Sequence, residues 1–281
     1  AYCQESVLKY TDEWEKVVTR QARWVDFEND YKTMDLDYME SVMWAFKQLW
    51  DQGLIYESQR VIPYSWGAET PLSNFEIRLD DATRPRQDPA VTVAFDLFSE
   101  NGAPTSTKIL AWTTTPWTLP SNLALAVAPD KLYALIETPK CQYILGKETI
   151  ASFTESFGDF NILETFKGQN LVDLRYQPLF PYFQDLDTQA FRIIAGDFIE
   201  MDEGTGVVHI APGFGEDDQR IADDNGIPTV VPVDDEGTFT EEITDWFGVN
   251  VFDANPLIIR KLKESGRIIR HDTYEHNYPH C

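Results

Sequence analysis

The sequence predicts an α+β chain, a β-barrel-like core with flanking helices, and two observations carry that expectation. The first sixty residues repeat apolar side chains at three- and four-residue steps, the period of one helix face. From about Val61 onward, short β-branched runs alternate with prolines, which no long helix tolerates. The size allows it, because 281 residues with 43% hydrophobic and 13% aromatic content can bury a sizeable core.

Val7, Tyr10, Trp14 and Val17 mark the first helical stretch. Leu36, Met39, Met43, Phe46 and Trp50 mark a second, which should end at Gly53, since a glycine just past the last periodic residue accepts the left-handed cap conformation. These stripes of methionine and aromatic residues are expected to pack as core. Prolines at 63, 71, 85, 89, 104, 116, 120 and 129 then punctuate the chain. Strands are expected over 91–97, 107–113, 123–127, 132–138, 143–145, 191–195, 207–210 and 229–233. Short strands in such number suggest a closed or nearly closed barrel. A short helix is expected over 216–225, stopping at Gly226; Asn255-Pro256 reads as a helix start and Gly266 as a stop. The expected organisation is a helical flank (1–60), a barrel-like domain (61–250), and a C-terminal helix with a return strand (251–281).

Charge and cysteine content narrow the function classes. Against 23 basic residues stand 47 acidic ones, a net charge of −24. Neutralising phosphates dominates nucleic-acid affinity, so this balance argues against a chain that by itself holds a whole RNA. A pocket receiving only a strand end remains compatible. No run of 18 apolar residues appears, so no membrane span is expected. Cys3, Cys141 and Cys281 are odd in number and far apart, which argues against a disulfide framework and for a reducing, cytoplasmic setting.

Two segments carry chemistry. The stretch Trp112-Thr113-Thr114-Thr115-Pro116-Trp117-Thr118-Leu119-Pro120-Ser121-Asn122 places three successive hydroxyls at a strand end that proline stops. Such hydroxyls donate and accept hydrogen bonds, as ribose hydroxyls and ester oxygens require; the plain alternative is a strand rich in threonine. The stretch Gly204-Thr205-Gly206-Val207-Val208-His209-Ile210-Ala211-Pro212-Gly213-Phe214-Gly215-Glu216-Asp217-Asp218 sets His209 on an apolar strand before a glycine-rich turn, where the plain alternative is a satisfied core histidine. The turn leads into a helix with three carboxylates in its first turn, which capping alone would explain. It is no phosphate loop, because it lacks the Gly-Lys-Ser/Thr ending and puts carboxylates where an anion would sit. His271, His276, His280 and Cys281 are metal-capable, yet no second ligand pair accompanies them, so no metal site is expected.

Together these segments resemble isoleucyl-tRNA synthetase, specifically the insertion called connective peptide 1 and its flanks, in the eukaryotic cytoplasmic style. The resemblance rests on Glu40-Ser41-Val42 through Tyr56, Thr70-Pro71-Leu72-Ser73-Asn74-Phe75-Glu76, the 112–122 and 204–218 stretches, and Tyr278-Pro279-His280-Cys281. Valyl or leucyl relatives would read Thr-Thr-Arg-Pro where this chain has Thr114-Thr115-Pro116-Trp117. The adenylating signatures His-Ile-Gly-His and Lys-Met-Ser-Lys-Ser are absent, so no ATP binding or aminoacylation is expected of the chain itself.

What the resemblance implies is an editing domain that hydrolyses valine from misacylated Val-tRNA(Ile), with valyl-adenylate as a further candidate. A hydrophobic pocket gains only about 1–3 kcal/mol from one methylene, the isoleucine–valine pair being the standard illustration. A second, smaller pocket can refuse isoleucine, because overpacking a filled space is costly. By resemblance Asp218 would pair with the α-ammonium group and His209 would form the wall. Thr113, Thr114 and Thr115 would hold the terminal adenosine and ester, supported by Trp112, Trp117 and Asn122. Gly213, Phe214 and Gly215 would line the adenosine. No cofactor is expected; the partners would be the 3′ end of tRNA(Ile) carrying valine and the rest of the synthetase in cis. The alternatives are a non-catalytic module docking a tRNA end or a protein, and an unrelated ester hydrolase.

Overall fold

The computed structural model describes residues 2–99, 101–186 and 189–279. The chain divides into two compact units, Ala1–Gln59 and Arg60–Cys281.

The first unit is helical, as its periodicity predicts, with α1 (Tyr2–Leu8), α2 (Thr11–Arg20) and α3 (Leu36–Asp51). The Val7-to-Val17 stripe is divided, because the backbone leaves the helical region at Tyr10 (φ −119°, ψ 19°). α3 stops where expected: Gly53 takes φ +71° and its N–H donates to Trp50 O at 2.9 Å. The expectation that these stripes form core is not met. Trp14, Met43 and Trp50 are 66%, 68% and 54% exposed, and no described residue of the unit is buried. A helical period fixes which residues share a face but does not supply the surface that covers it.

In the second unit a short hairpin, β1 (Tyr64–Ser65) and β2 (Thr70–Pro71), comes first. There follow β3 (Thr83–Phe98), β4 (Pro104–Thr113), β5 (Ala124–Val127), β6 (Leu132–Glu137), β7 (Gln142–Gly146) and the short helix α4 (Thr154–Phe157). Then come β8 (Asn161–Lys167), β9 (Arg192–Ala195), β10 (Val207–Ile210), α5 (Glu216–Asp224), α6 (Val251–Glu264) and β11 (Ile268–Pro279). A six-stranded sheet has the order β11-β3-β4-β7-β6-β8, with only the β4–β7 pair parallel. A three-stranded sheet has the order β10-β5-β9.

The mixed fold class stands, but the strands do not close into a barrel, because among the described residues the ladders form two open sheets besides the β1–β2 hairpin. The four-residue strands of the smaller sheet are too short to carry a ladder around the core. Isolated bridges, Leu97 with Tyr176 and Arg175 with Arg192, tie β3 to β9 at one corner. Between the sheets lie Val91, Val93 and Phe95 of β3, Leu125 and Val127 of β5, Ile193, Val207, and Ala254, Ile258 and Leu262 of α6. The other face of β5, Ala124 and Ala126, packs on Ile221 and Ala222 of α5. Burial on both faces explains the unbroken apolar run of β5.

Several boundaries differ from expectation. β3 extends back through Pro85 and Pro89, where it pairs with β11 alone, so the missing proline donors interrupt no second ladder. Residues 229–233 form no strand beyond a bridge from Val233 to Phe239. β8 escaped notice because it is exposed almost throughout and has no apolar alternation. α6 begins at Val251 and not at Pro256: Asn250 Oδ1 accepts from Phe252 N–H at 3.1 Å and caps the helix, leaving Pro256 inside it.

Candidate functional site

The threonine run lies where β4 ends. Thr113 is the last strand residue, opposite Val91 of β3, and Pro116 opens a 3-10 turn over Pro116–Ser121. The turn folds the hydroxyls onto one another. Thr115 N–H donates to Thr113 Oγ1 at 3.1 Å, and the Thr113 and Thr115 hydroxyls are also 3.1 Å apart. Thr118 O–H donates to Thr115 O at 2.9 Å, and its oxygen lies 3.3 Å from Thr115 Oγ1. The same Thr118 oxygen is 2.8 Å from His209 Nε2.

His209 sits in β10, opposite Leu125 of β5, and is buried. Its other ring nitrogen, Nδ1, accepts from Asn122 Nδ2 at 3.4 Å. Asn122 is itself fixed, because Nδ2 also donates to Ala124 O at 2.8 Å and Oδ1 accepts from Tyr176 O–H at 2.7 Å. Burial lowers the His209 pKa from 6.5 to about 4, so the imidazole is neutral at neutral pH. With both nitrogens committed, the ring offers shape and not proton transfer.

Asp218 occupies the first turn of α5, after the glycine-rich turn. Its Oδ2 accepts from Ala211 N–H at 2.8 Å, and among the described residues nothing donates to Oδ1. Burial raises its pKa from 3.8 to about 6, against the lowering effect of the Ala211 N–H, and Asp217 adds to the rise. No basic side chain of the described residues forms an ion pair with it. Here is a half-buried carboxylate short of a cation.

The two segments meet through aromatic rings. Trp117 and Phe214 pack edge to face at 4.8 Å, and Trp117 N–H donates to Asn255 Oδ1 of α6 at 2.9 Å. The glycines serve close packing within the chain. A Cβ on Gly213 would lie 2.3 Å from Val230 O, and one on Gly215 would lie 2.9 Å from the Asp218 carboxyl carbon. Gly213 therefore requires glycine because backbone stands in the way, whereas at Gly215 a Cβ would press only on the Asp218 side chain.

Thr113, Thr115, Asn122 and His209 thus share one hydrogen-bonded network, and Trp117 and Phe214 join its two turns. Asp218 is linked through Ala211, two residues beyond His209. Thr114 is half-buried and its hydroxyl makes no hydrogen bond among the described residues. Trp112 is placed differently: strand alternation turns it away from Thr113, and its ring packs on Tyr274 of β11 at 5.4 Å and against Gly204. None of the three described cavities is lined by Thr113, Thr114, Thr115, His209 or Asp218; the largest, about 960 Å³, touches the network only through Tyr176.

Three participants escaped the sequence. Thr118 stood inside the quoted stretch, three residues after Thr115, and that spacing was its only signal. Tyr176 and Asn255 carry no local signal, since tertiary packing alone brings them in. Of the metal-capable group, His276 bonds Asp88 at 2.8 Å and His271 lies 2.9 Å from Lys263 Nζ, whereas His280 and Cys281 lie outside the described residues. No helix among the described residues is long and apolar enough to cross a membrane.

Comparison with known proteins bears on the family and the fold. A family model for class I tRNA synthetases (I, L, M and V) matches residues 1–257. The isoleucine–tRNA ligase of Mycobacterium tuberculosis (strain ATCC 25618 / H37Rv) is 52% identical over 99% of this chain and 28% of its own length. That of Rickettsia conorii is 54% identical over all of this chain and 26% of its own length. The chain thus spans about a quarter of these relatives, which are bacterial although the motifs resemble the eukaryotic cytoplasmic style. Among solved structures, the P. knowlesi cytosolic leucyl-tRNA synthetase editing domain covers 71% of this chain and 99% of its own, at 13% identity and TM-score 0.51. The structure of GlLeuRS-CP1 covers 65% and 98%, at 16% identity and TM-score 0.50. At such identities these two show a shared fold, that of the inserted editing domains, while the family model spans most of the sequence: the chain belongs to the class I tRNA synthetases of the isoleucine, leucine, methionine and valine group.

Proposed function

We propose that this chain hydrolyses valine from misacylated Val-tRNA(Ile), with valyl-adenylate as a further candidate substrate. The 3′ end of the tRNA would be presented with the rest of the synthetase in cis. The observation that carries this is Asp218, a half-buried carboxylate with one free oxygen and no cation of its own. An α-ammonium group set there makes the charge-assisted hydrogen bond that the protein leaves unmade. The names of the bacterial relatives and the fold shared with editing domains support the same reading.

In this reading Thr113, Thr114 and Thr115 hold the ester and terminal ribose, and the free hydroxyl of Thr114 is available to the substrate. Trp117 and Phe214 form an apolar side for the adenosine. His209, neutral and hydrogen-bonded at both nitrogens, is a fixed wall that the extra methylene of isoleucine meets. A water oxygen attacks the ester carbonyl, the acyl carbon–ribose oxygen bond breaks, the ribose oxygen takes a proton, and free valine leaves. An aminoacyl ester is reactive, so orienting it against water supplies much of the rate.

The test is incubation of the chain with Val-tRNA(Ile) and Ile-tRNA(Ile) at low salt, where weak phosphate contacts still count. Selective release of valine is expected. Release of neither amino acid would replace this reading by a docking module, and equal release by an unselective esterase.

A further inference from the structure

We infer that Tyr176 and Thr118 are positioning residues for amino acid discrimination: acting from opposite ends of one buried hydrogen-bond chain, they lock His209 into a single tautomer and a single ring pose. This rests on the proposed editing function for its consequence, though not for its geometry.

The donors and acceptors can be assigned in only one way. Asn122 Nδ2 must donate to Ala124 O, and Oδ1 must accept from the Tyr176 O–H, so the amide cannot be flipped. The second Nδ2 hydrogen then points at His209 Nδ1, which must be the bare nitrogen. Nε2 consequently carries the proton and donates to Thr118 Oγ1. Thr118 has already given its own hydrogen to Thr115 O, which leaves its oxygen free to accept. The chain therefore runs in one direction, from the Tyr176 hydroxyl through Asn122 to the ring, and from the ring into the threonine turn.

Every link is enclosed. Tyr176 is 1% exposed, Thr118 and Asn122 are each 4% exposed, and His209 is 7% exposed. Water cannot replace a lost partner cheaply there. The Tyr176 ring is clamped by Phe95 at 5.1 Å and Phe191 at 6.4 Å, so its hydroxyl is aimed by packing. The same tyrosine lines the 960 Å³ cavity, whose lining includes none of Thr113, Thr114, Thr115 and Thr118.

Removing either end frees the ring. In Tyr176→Phe, Asn122 Oδ1 loses its donor and only the Ala124 O bond still orients the amide, so the flipped form comes closer in energy and His209 can carry its proton on either nitrogen. In Thr118→Val, Nε2–H loses its acceptor while the side-chain volume is kept. Thr118→Ser keeps the oxygen and serves as the rescue. Two measurements on the 281-residue chain test this. Nitrogen-15 NMR on labelled histidine, with His209 assigned by comparison with His209→Gln, reads the tautomer. Hydrolysis of Val-tRNA(Ile) and Ile-tRNA(Ile) reads discrimination.

The expected result is one Nε2–H tautomer in the wild type, in Thr118→Ser and in Thr118→Val, where Asn122 still keeps Nδ1 bare, with the Nε2 resonance of Thr118→Val shifted by the lost bond, and mixed tautomer signals in Tyr176→Phe. In Tyr176→Phe and Thr118→Val the preference for valine over isoleucine should fall about three- to tenfold, the range one hydrogen bond commands, through faster isoleucine release at little-changed valine turnover. A single tautomer in folded Tyr176→Phe, or an unshifted Nε2 resonance in folded Thr118→Val, would overturn the positioning role. So would mixed tautomers with unaltered discrimination. If the wild type releases no amino acid, the editing function fails while the tautomer measurement still decides the lock. Should Thr118→Val not fold, Tyr176→Phe alone decides both points.

Discussion

At the scale of single residues, the site shifts the titration of two groups toward their neutral forms. Asp218 is held toward its neutral form and His209 is held neutral, both chiefly by burial. For Asp218 the rise from 3.8 to about 6 amounts to about 3 kcal/mol against the charged form, an upper figure because the side chain is only half-buried. An incoming ammonium group would offset that cost, whereas a neutral ligand would not. Asp218→Ala should therefore abolish valine release and leave the fold intact; full turnover in the folded variant would remove the anchoring role. Because only the carboxylate binds the ammonium group, the affinity for an amine-bearing valyl-adenosine analogue should fall as pH drops below about 6. A pH-independent affinity in isothermal titration would contradict this. His209→Ala, by removing the wall, should expose Ile-tRNA(Ile) to hydrolysis, and continued protection of that substrate would place the exclusion elsewhere.

At the scale of elements, the turn between β10 and α5 is held by backbone contact and tolerates little. A Cβ at Gly213 would press into the Val230 carbonyl, which cannot rotate away. Gly213→Ala should lower stability by about 1–3 kcal/mol and shift the Ala211–Asp218 bond with it, read as a drop in melting temperature. An unchanged melting temperature would show that the turn relaxes freely. How much of this was legible follows from the kind of signal each element carries. β4, β5 and β10 stood out because their apolar runs end in proline or glycine, and the same runs delivered Thr113 and His209 to their correct places. α3 and its glycine stop were equally plain. The exposure of α3 was not, since amphipathicity is a property of one element and burial a property of two. The misplaced start of α6 shows the limit of local capping rules: Asn250 and Asn255 are both plausible caps, and the choice is made by Trp117, whose N–H claims the Asn255 side chain from 138 residues away. Tyr176 was out of reach for the same reason.

At the scale of the whole molecule, the two buried groups couple the site to folding with opposite signs. His209 binds its proton less readily in the folded chain, so between pH 6.5 and about 4 the unfolded chain holds more protons there, and stability falls as pH falls. Asp218 binds its proton more readily when folded, so between about 6 and 3.8 the folded chain holds more, and stability rises as pH falls. The windows overlap and each carries about 3 kcal/mol, so over that range the contributions nearly cancel in the wild type. Carboxylates held below their usual range, such as Asp234 by its Thr238 bonds and Asp245 by Lys261, contribute only further toward acid. Single substitutions should therefore unmask the hidden slopes. Asp218→Asn, whose side-chain oxygen can still accept from Ala211 N–H, should be more stable than wild type at pH 7 and should lose stability steeply between pH 6.5 and 4. His209→Gln should do the reverse and gain stability across the same interval. Denaturant unfolding at closely spaced pH values reads both slopes. Parallel curves for the wild type and the two variants would mean that neither group is buried as the structure places it, and the carboxylate and imidazole would then no longer define a site.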